Sequence, residues 1–557
     1  MPLFWVALAV AILAPCASFL LLAVSPRLFS QGGQWFTLTY LRQVFTGYTA
    51  TALVNSIWVS VVACVCGTCI GGAIAWSVSR TTLPGRRFIP ATMWLALLLP
   101  SWLPSLGWVE LFQNGGVLQR AGIDLPWLTH FILGPGGVVL VLGLRCVPFA
   151  FLAITAALVG LGQEFDDAAR VHGATRSQAM RLIIPIIAPA IWSALAIGFA
   201  ESVSDFGVAA TLGTTANFPL ATYSLYNQIN AFPPSFPGAA AMGWLLVLSV
   251  ALPLGLQTRA LRGKSYSVLS GRTRQAVRRR LSWPGLVGAL GGISIFYLVA
   301  LGVPAIGALM GSLVSERGSS ISLNLVNYQQ VFHNGELFDP LVRSGRYAAI
   351  TASITVVAGF IAARLLTKVR TKAVRMLDFL LLAAVAIPSV LFAAGYIFTY
   401  NLPIMSTLGI NLYQTQTLLV IAYAASSLPL NARVLVGSVS QLQPSLMDAG
   451  RAHGAGPIRA WLRGIFPVMS KPLLVAWLLT FTGVFLELPI SQLLYAPSNP
   501  PVAVAIESNL GNYHFGLGLA QAVTAVVCAF IVVGGVLGIY RVLAPRGWRR
   551  LGEASHR

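Results

Sequence analysis

Apolar runs of 18 or more residues recur along the whole 557-residue chain, and each is long enough to cross about 30 Å of hydrocarbon as a helix. They fall near 3–25, 51–78, 88–112, 135–160, 189–212 and 238–258, then near 284–310, 347–366, 377–399, 415–440, 472–493 and 516–540. Only 9% of the residues are charged and the mean hydropathy is +0.77, whereas a soluble protein carries about 25% charged residues. These features predict an all-α integral membrane protein with about twelve transmembrane helices, six in each half.

The net charge of +21 does not point to nucleic acid. The basic residues sit in short segments between apolar runs, where they orient helices. Arg80 to Arg87, Arg259 to Arg280, Arg364 to Arg375 and the tail from Arg541 fall on one side when both termini are cytoplasmic. The opposite loops 214–237 and 400–414 contain no charged residue. Six spans per half give both halves the same orientation, so the repeat is parallel, with its axis along the membrane normal. The expected organisation is a first repeat over 1–260, a basic cytoplasmic linker over 261–283, and a second repeat over 284–557.

That linker carries Arg272, Arg274, Arg278, Arg279 and Arg280 and reads as a solvated connector beside anionic lipid head groups. Arg262-Gly263-Lys264-Ser265 mimics the end of a phosphate-binding loop, but Thr258 stands where the first Gly is needed and no strand precedes it. The six cysteines all lie in apolar spans. Cys66-x-x-Cys69 has metal or redox spacing without a neighbouring His, and is read as small buried packing residues. Leu13-Ala14-Pro15-Cys16 resembles a lipoprotein cleavage site only faintly, since no basic residue precedes it, and an uncleaved first helix is expected.

One polar stretch occurs twice. Asp167-Ala168-Ala169-Arg170-Val171-His172-Gly173 runs on to Pro185, and Asp448-Ala449-Gly450-Arg451-Ala452-His453-Gly454 runs on to Pro467. The two glycines are 281 residues apart, about half the chain, which indicates two fused membrane domains. In each copy Asp suits the start of a short Ala-rich helix. The small residues leave a smooth face for a packed partner, and the Gly permits a sharp turn. Each Pro is expected to restart the chain as a membrane helix.

The pattern resembles the EAA loop of ATP-binding-cassette importer permeases, in which Glu-Ala-Ala is followed by Gly and then Ile-x-Leu-Pro. Asp167 and Asp448 take the Glu position, Gly450 takes the second Ala, and the first copy is one residue short between Gly173 and Pro185. The resemblance implies that loops 161–188 and 441–471 form coupling helices docked on two copies of a separate cytoplasmic ATPase. Arg170, His172, Arg451 and His453 would be contacts in that case, or solvated loop groups otherwise. It further implies a periplasmic substrate-binding protein, a bacterial inner-membrane location, ATP and magnesium on the partner ATPase, and no cofactor or catalytic residue on this chain. Fused double permeases of this kind look most like ferric-iron importers, with thiamine importers as relatives. Phe485-Leu486-Glu487-Leu488-Pro489 is similar to a Glu-Leu-Pro segment there, and Glu201 with Ser204-Asp205-Phe206-Gly207 to an Asp-Phe-Gly segment. The expected solute is therefore ferric iron, with thiamine or another small solute as the alternative.

Beyond the loop prolines the repeats are offset by 282, which makes Asp205 and Glu487 equivalent, each 20 residues past its Pro. At 1.5 Å per residue that is about 30 Å, toward the periplasmic end of the fifth helix in each half. Acids in a membrane usually face water or the bundle interior. Asp205 and Glu487, with Glu201, either line a cation pathway or cap nearby helices and bond freed backbone amides. Tyr223, Tyr226, Tyr495 and Tyr513 either meet the binding protein or anchor at the interface. A secondary transporter would also use parallel six-helix repeats, but needs no ATPase-docking loops. An intramembrane enzyme is disfavoured because no metal-spaced cluster or nucleophile–base pair stands out.

Overall fold

The computed structural model describes residues 4–5, 8–161, 163, 171, 176–261, 277–314, 324–369, 371–385, 387–442, 452, 454 and 456–544. Its main helices in chain order are α1 (Val10–Leu22), α2 (Gly47–Arg80), α3 (Ile89–Leu98), α4 (Trp102–Phe112), α5 (Pro135–Gly160), α6 (Arg176–Val203) and α7 (Phe236–Leu261). The series continues with α8 (Trp283–Leu313), α9 (Gly335–Lys368), α10 (Lys372–Val385), α11 (Ser389–Tyr400), α12 (Gln416–Ser440), α13 (Ile458–Phe485) and α14 (Phe515–Leu543). Among the described residues nine helices are long and apolar enough to cross a membrane, and two bent pairs bring the number to 11. The shorter apolar helix α1 occupies the place of the first expected span.

Both bent pairs fall where the sequence predicts one straight span. The chain turns by 83° between α3 and the helix that starts at Trp102, and by 108° between α10 and α11. Pro100 and Pro388 are the cause. Proline has no amide hydrogen to donate, and it pushes the preceding residue into extended geometry. Leu99, which precedes Pro100, accordingly has ψ 122°, and Pro388 stands at the N-cap of α11. The fifth spans also end earlier than predicted, at Val203 and Phe485, before the chain breaks and forms the short helical segments 207–215 and Pro489–Leu494.

The chain divides into two compact units, Leu20–Leu323 and Met1–Phe19 with Asn324–Arg557. These units do not follow the sequence repeats. The first segment of each repeat packs in the unit built mainly from the other repeat. In the Leu20–Leu323 unit, α8 lies on α4 so closely that a Cβ at Gly107 would stand 2.0 Å from the Pro304 carbonyl oxygen. In the other unit, a Cβ at Gly395 on α11 would stand 2.5 Å from the Pro15 carbonyl oxygen. Gly107 and Gly395 are 288 residues apart, the same offset as Pro100 and Pro388, so the same contact is built twice. Small residues allow such backbone approach between membrane helices. The Tyr396 hydroxyl donates to the Ala11 carbonyl at 2.5 Å, and Phe19 meets Phe398 edge-on at 6.2 Å.

Within the Leu20–Leu323 unit, α2, α5 and α6 form the centre, with Ile74, Val147, Phe151 and Ile187 buried together. Arg80 is buried at the end of α2 and donates to the carbonyls of Leu158 and Leu161, both at 3.2 Å. It thereby satisfies acceptors that the end of α5 leaves open. The end of the expected solvated linker is paired rather than free. Thr82 N–H donates to Arg279 O and Arg279 N–H donates to Arg80 O, both at 3.0 Å. Arg262 to Ser265 lie outside the described residues. Cys66 and Cys69 are exposed, contrary to the expected buried packing role, whereas Cys64 and Cys146 are buried. On α2 the packed face carries Cys64, Gly67, Thr68 and Gly71, which turns positions 66 and 69 outward.

Candidate functional site

The two equivalent acids sit at helix breaks rather than inside helices. Asp205 follows the end of α6, and Glu487 follows the end of α13. Each carboxylate caps the short helical segment that comes next. Asp205 Oδ1 accepts from Val208 N–H at 2.7 Å. Glu487 accepts from the amides of Ile490 at 2.8 Å and Ser491 at 2.9 Å. A carboxylate suits this position because first-turn amides lack partners and carry the positive end of the helix dipole. Of the two sequence readings, the capping geometry is the one seen at both acids. Replacing Glu487 by alanine should destabilise its compact unit by about 1–2 kcal/mol, and by glutamine less, since the amide oxygen still accepts. Thermal unfolding of the two variants in detergent checks this; equal midpoints would remove the capping role.

Around Asp205 the site acquires a cation that the sequence reading passed over. Arg145 projects from the eleventh position of α5, about 15 Å along the helix from its Pro135 end. Its Nε lies 3.7 Å from Asp205 Oδ2, and its NH2 nitrogen lies 4.0 Å from Glu201 Oε2. NH1 donates to the Leu99 carbonyl at 3.1 Å, at the break between α3 and α4. Ser101 at the same break donates to Asp205 Oδ1 at 2.9 Å. Two interrupted spans are thus joined at their interruptions by one guanidinium, one carboxylate and one hydroxyl. The signal that could have revealed Arg145 was its isolation as the one charged residue in span 135–160, since an ionisable group there needs a partner.

The second repeat solves the same problem without a cation. Counting back from the loops with their own offset of 281, which also pairs Pro148 with Pro429 in the preceding helix, Arg145 matches Ser426. With the later offset of 282, Glu201 matches Gly483. Both members of the Arg145–Glu201 pair are therefore missing together from the second repeat. Instead Ser491 Oγ lies 2.9 Å from Glu487 Oε2 and 2.6 Å from the hydroxyl of buried Tyr423 on α12. The first break gathers two acids and Arg145, and the second holds Glu487 with no cation beside it among the described residues. Exposure separates the acids of the first cluster: the Asp205 side chain is 6% exposed and that of Glu201 43%. Among the described residues no group of three or more His, Cys, Asp or Glu side chains is arranged to hold a metal ion.

Most of the repeated loop motif (Asp167, Ala168, Ala169, Arg170, His172, Gly173, Asp448, Ala449, Gly450, Arg451 and His453) lies outside the described residues. Gly454 has φ +75°, the left-handed region open to glycine and strained for other residues. Pro185 does not start a helix: it lies inside α6, which begins at Arg176. Pro467 lies at the first turn of the regular part of α13, after a π-helical turn over Trp461–Ile465. Tyr223 and Tyr226 stack on each other at 5.6 Å, with Phe206 beside both, while Tyr513 is 79% exposed.

Comparison with known proteins adds the following. A family model described as the inner-membrane component of binding-protein-dependent transport systems matches residues 1–263 and 355–549. A ferric transport system permease of Actinobacillus pleuropneumoniae is 22% identical over 528 residues, which cover 92% of this chain and 74% of that protein. An Fe(3+)-transport system permease of Haemophilus influenzae is 21% identical, covering 88% of this chain and 90% of that protein. A sulfate transport system permease of Salmonella typhimurium is 26% identical over 224 residues, 40% of this chain and 78% of the relative.

Proposed function

The chain belongs to the family of binding-protein-dependent transport system inner-membrane components, and from that premise we propose that it is a fused double permease of a ferric-iron importer. Proteins of this family are the permease subunits of ATP-binding-cassette importers and not themselves enzymes. On this reading the chain works with two copies of a cytoplasmic ATPase, which bind ATP and magnesium, and with a periplasmic protein that delivers the solute. Both termini are cytoplasmic, as the basic segments favour.

The observation that carries the importer reading is the duplicated loop. Asp167 to Gly173 and Asp448 to Gly454 recur once per repeat and reach toward Pro185 and Pro467. Each loop would seat on one ATPase copy, so that closure of the ATPase pair moves both halves of the permease. The left-handed Gly454 supports a tight turn in the second loop. Ferric iron is favoured by the names of relatives that match most of the chain and by the acids placed at each helix break. Glu201, exposed at 43% within a span, is the acid best placed to meet water in a pathway.

The test is reconstituted ATP hydrolysis, using the ATPase and binding protein of the same organism and a panel of ferric iron, thiamine and sulfate. Stimulation by the iron-loaded binding protein alone is expected, and it should be lost when Gly173→Asp and Gly454→Asp are combined. Stimulation by thiamine or sulfate would move the solute assignment and leave the importer intact. If no ATPase is retained under any condition, the importer reading falls and a secondary transporter takes its place. Uptake by Asp205→Asn with Glu487→Gln, at wild-type protein levels, separately tests the acids as part of the pathway.

A further inference from the structure

An apolar groove of about 840 Å³ opens in the unit that contains residues 324–557. It runs between α9, α13 and α14, and its walls include Phe360, Trp461, Leu473, Trp477, Ile539 and Tyr540. Trp461 meets Phe360 edge-on at 6.2 Å, and Trp477 donates its indole N–H to Ser353 at 3.1 Å. A Ser470–Tyr540 hydroxyl pair at 3.0 Å closes its polar interior. The volume lies within the ~300–1,000 Å³ of sites that hold a single ligand. From Trp461 to Trp477 the wall extends about 24 Å along α13, more than the depth of one leaflet, about 15 Å.

The charge at one end of this groove has a single sign. The adjoining turns 361–368, 458–471 and 536–543 hold Arg364, Lys368, Arg459, Arg463, Lys471 and Arg541, with no Asp or Glu. Arg459, Arg463 and Arg541 are exposed. The groove itself lies within three membrane-spanning helices, where the available apolar molecules are acyl chains. An occupant must therefore be apolar along one leaflet and negatively charged at the level of these cations.

We propose that the groove is a binding site for an anionic phospholipid, its acyl chains along Trp461 to Trp477 and its head group among Arg459, Arg463 and Arg541. A zwitterionic lipid fills the apolar part equally well but gains less from the cations, because its own ammonium offsets its phosphate. Selectivity for the anionic head group is thus the property that distinguishes a built site from ordinary lipid contact. The site adjoins α13, the helix that follows the second loop. Its occupancy would fix the helix end on which that loop is mounted.

Trp461 and Trp477 make the site measurable in the intact chain. Brominated phosphatidylglycerol and brominated phosphatidylcholine quench tryptophan fluorescence on contact, and the difference between wild type and Trp461→Phe/Trp477→Phe isolates the groove among the 14 tryptophans. The groove component should respond to phosphatidylglycerol at about tenfold lower lipid fraction than to phosphatidylcholine. Arg463→Gln with Arg541→Gln should bring the two curves together. Equal quenching by both lipids in the wild type, or none by either, overturns the proposal; the second outcome would show a protein surface covering the groove. Native mass spectrometry of the wild type gives the same answer without the tryptophan variants, through the ratio of retained phosphatidylglycerol to phosphatidylcholine.

Discussion

Replacing Arg145 by serine should destabilise the Leu20–Leu323 unit by about 3 kcal/mol, and adding Glu201→Ala should recover at least about 1 kcal/mol of that loss. The reason is the order in which charge is left uncompensated. Without Arg145, Asp205 is a 6% exposed carboxylate with Glu201 one helical turn before it and no cation at either. Two donors remain to Asp205, Ser101 Oγ and Val208 N–H, so the loss should lie at the low end of the range for breaking a buried pair. Removing Glu201 alone leaves Arg145 with Asp205 and the Leu99 carbonyl. Because Glu201 is 43% exposed and its contact is 4.0 Å, that single change should cost under about 1 kcal/mol.

Serine is the informative replacement at this position because the second repeat already carries Ser426 there. Thermal unfolding of the four proteins in one detergent closes the double-mutant cycle. If Arg145→Ser alone melts with the wild type, or if the double variant is worse by the sum of the two singles, the charges are independent and the cluster is not a unit. Uptake by Arg145→Lys adds a readout that packing alone does not give. Lysine keeps the charge but cannot bridge two carboxylates and a carbonyl with a planar fork. Stability near wild type with reduced uptake would therefore identify Arg145 as a positioning residue for transport.

The membrane class, the parallel duplication and the equivalence of Asp205 with Glu487 were legible because each depends on pattern: span length, a 281-residue period and a constant offset after the loops. The bends in the third spans were half legible, since Pro100 and Pro388 stand in the sequence but proline alone does not separate a kink from an 83° or 108° turn. What settles that is tertiary, namely whether another element donates to the freed carbonyls, as Arg145 does to that of Leu99. The exchange of first helices was not legible at all. Hydropathy gives the same trace whether α8 packs on its own repeat or on the other, and the deciding contacts are glycines hundreds of residues from their partners. The outward turn of Cys66 and Cys69 was missed for the same kind of reason, because the packed face of α2 is chosen by α5 and not by local composition.

The exchanged helices lead to the second large effect. Gly107→Ala should destabilise the Leu20–Leu323 unit by about 3 kcal/mol, the upper end expected for overpacking a fitted contact. The added Cβ would stand 2.0 Å from the Pro304 oxygen and 2.6 Å from its carbonyl carbon. Those are backbone atoms of α8, so no side chain can rotate away and the helices must separate. Separation also loosens the reciprocal contact, since a Cβ at Gly307 would stand 2.1 Å from the Gly107 carbonyl oxygen. Gly395→Ala tests the equivalent seat of α1 on α11, where the distance of 2.5 Å to the Pro15 oxygen predicts the same direction and a smaller loss. Gly291→Ala on α8 meets nothing within 4 Å and should be neutral or slightly stabilising, as alanine favours a helix over glycine. The measurement is the unfolding midpoint of each variant, with the fraction recovered as a monodisperse species. A Gly107→Ala protein that matches Gly291→Ala in both would mean that α8 does not hold this seat, and the exchange of first helices between the repeats would have to be abandoned.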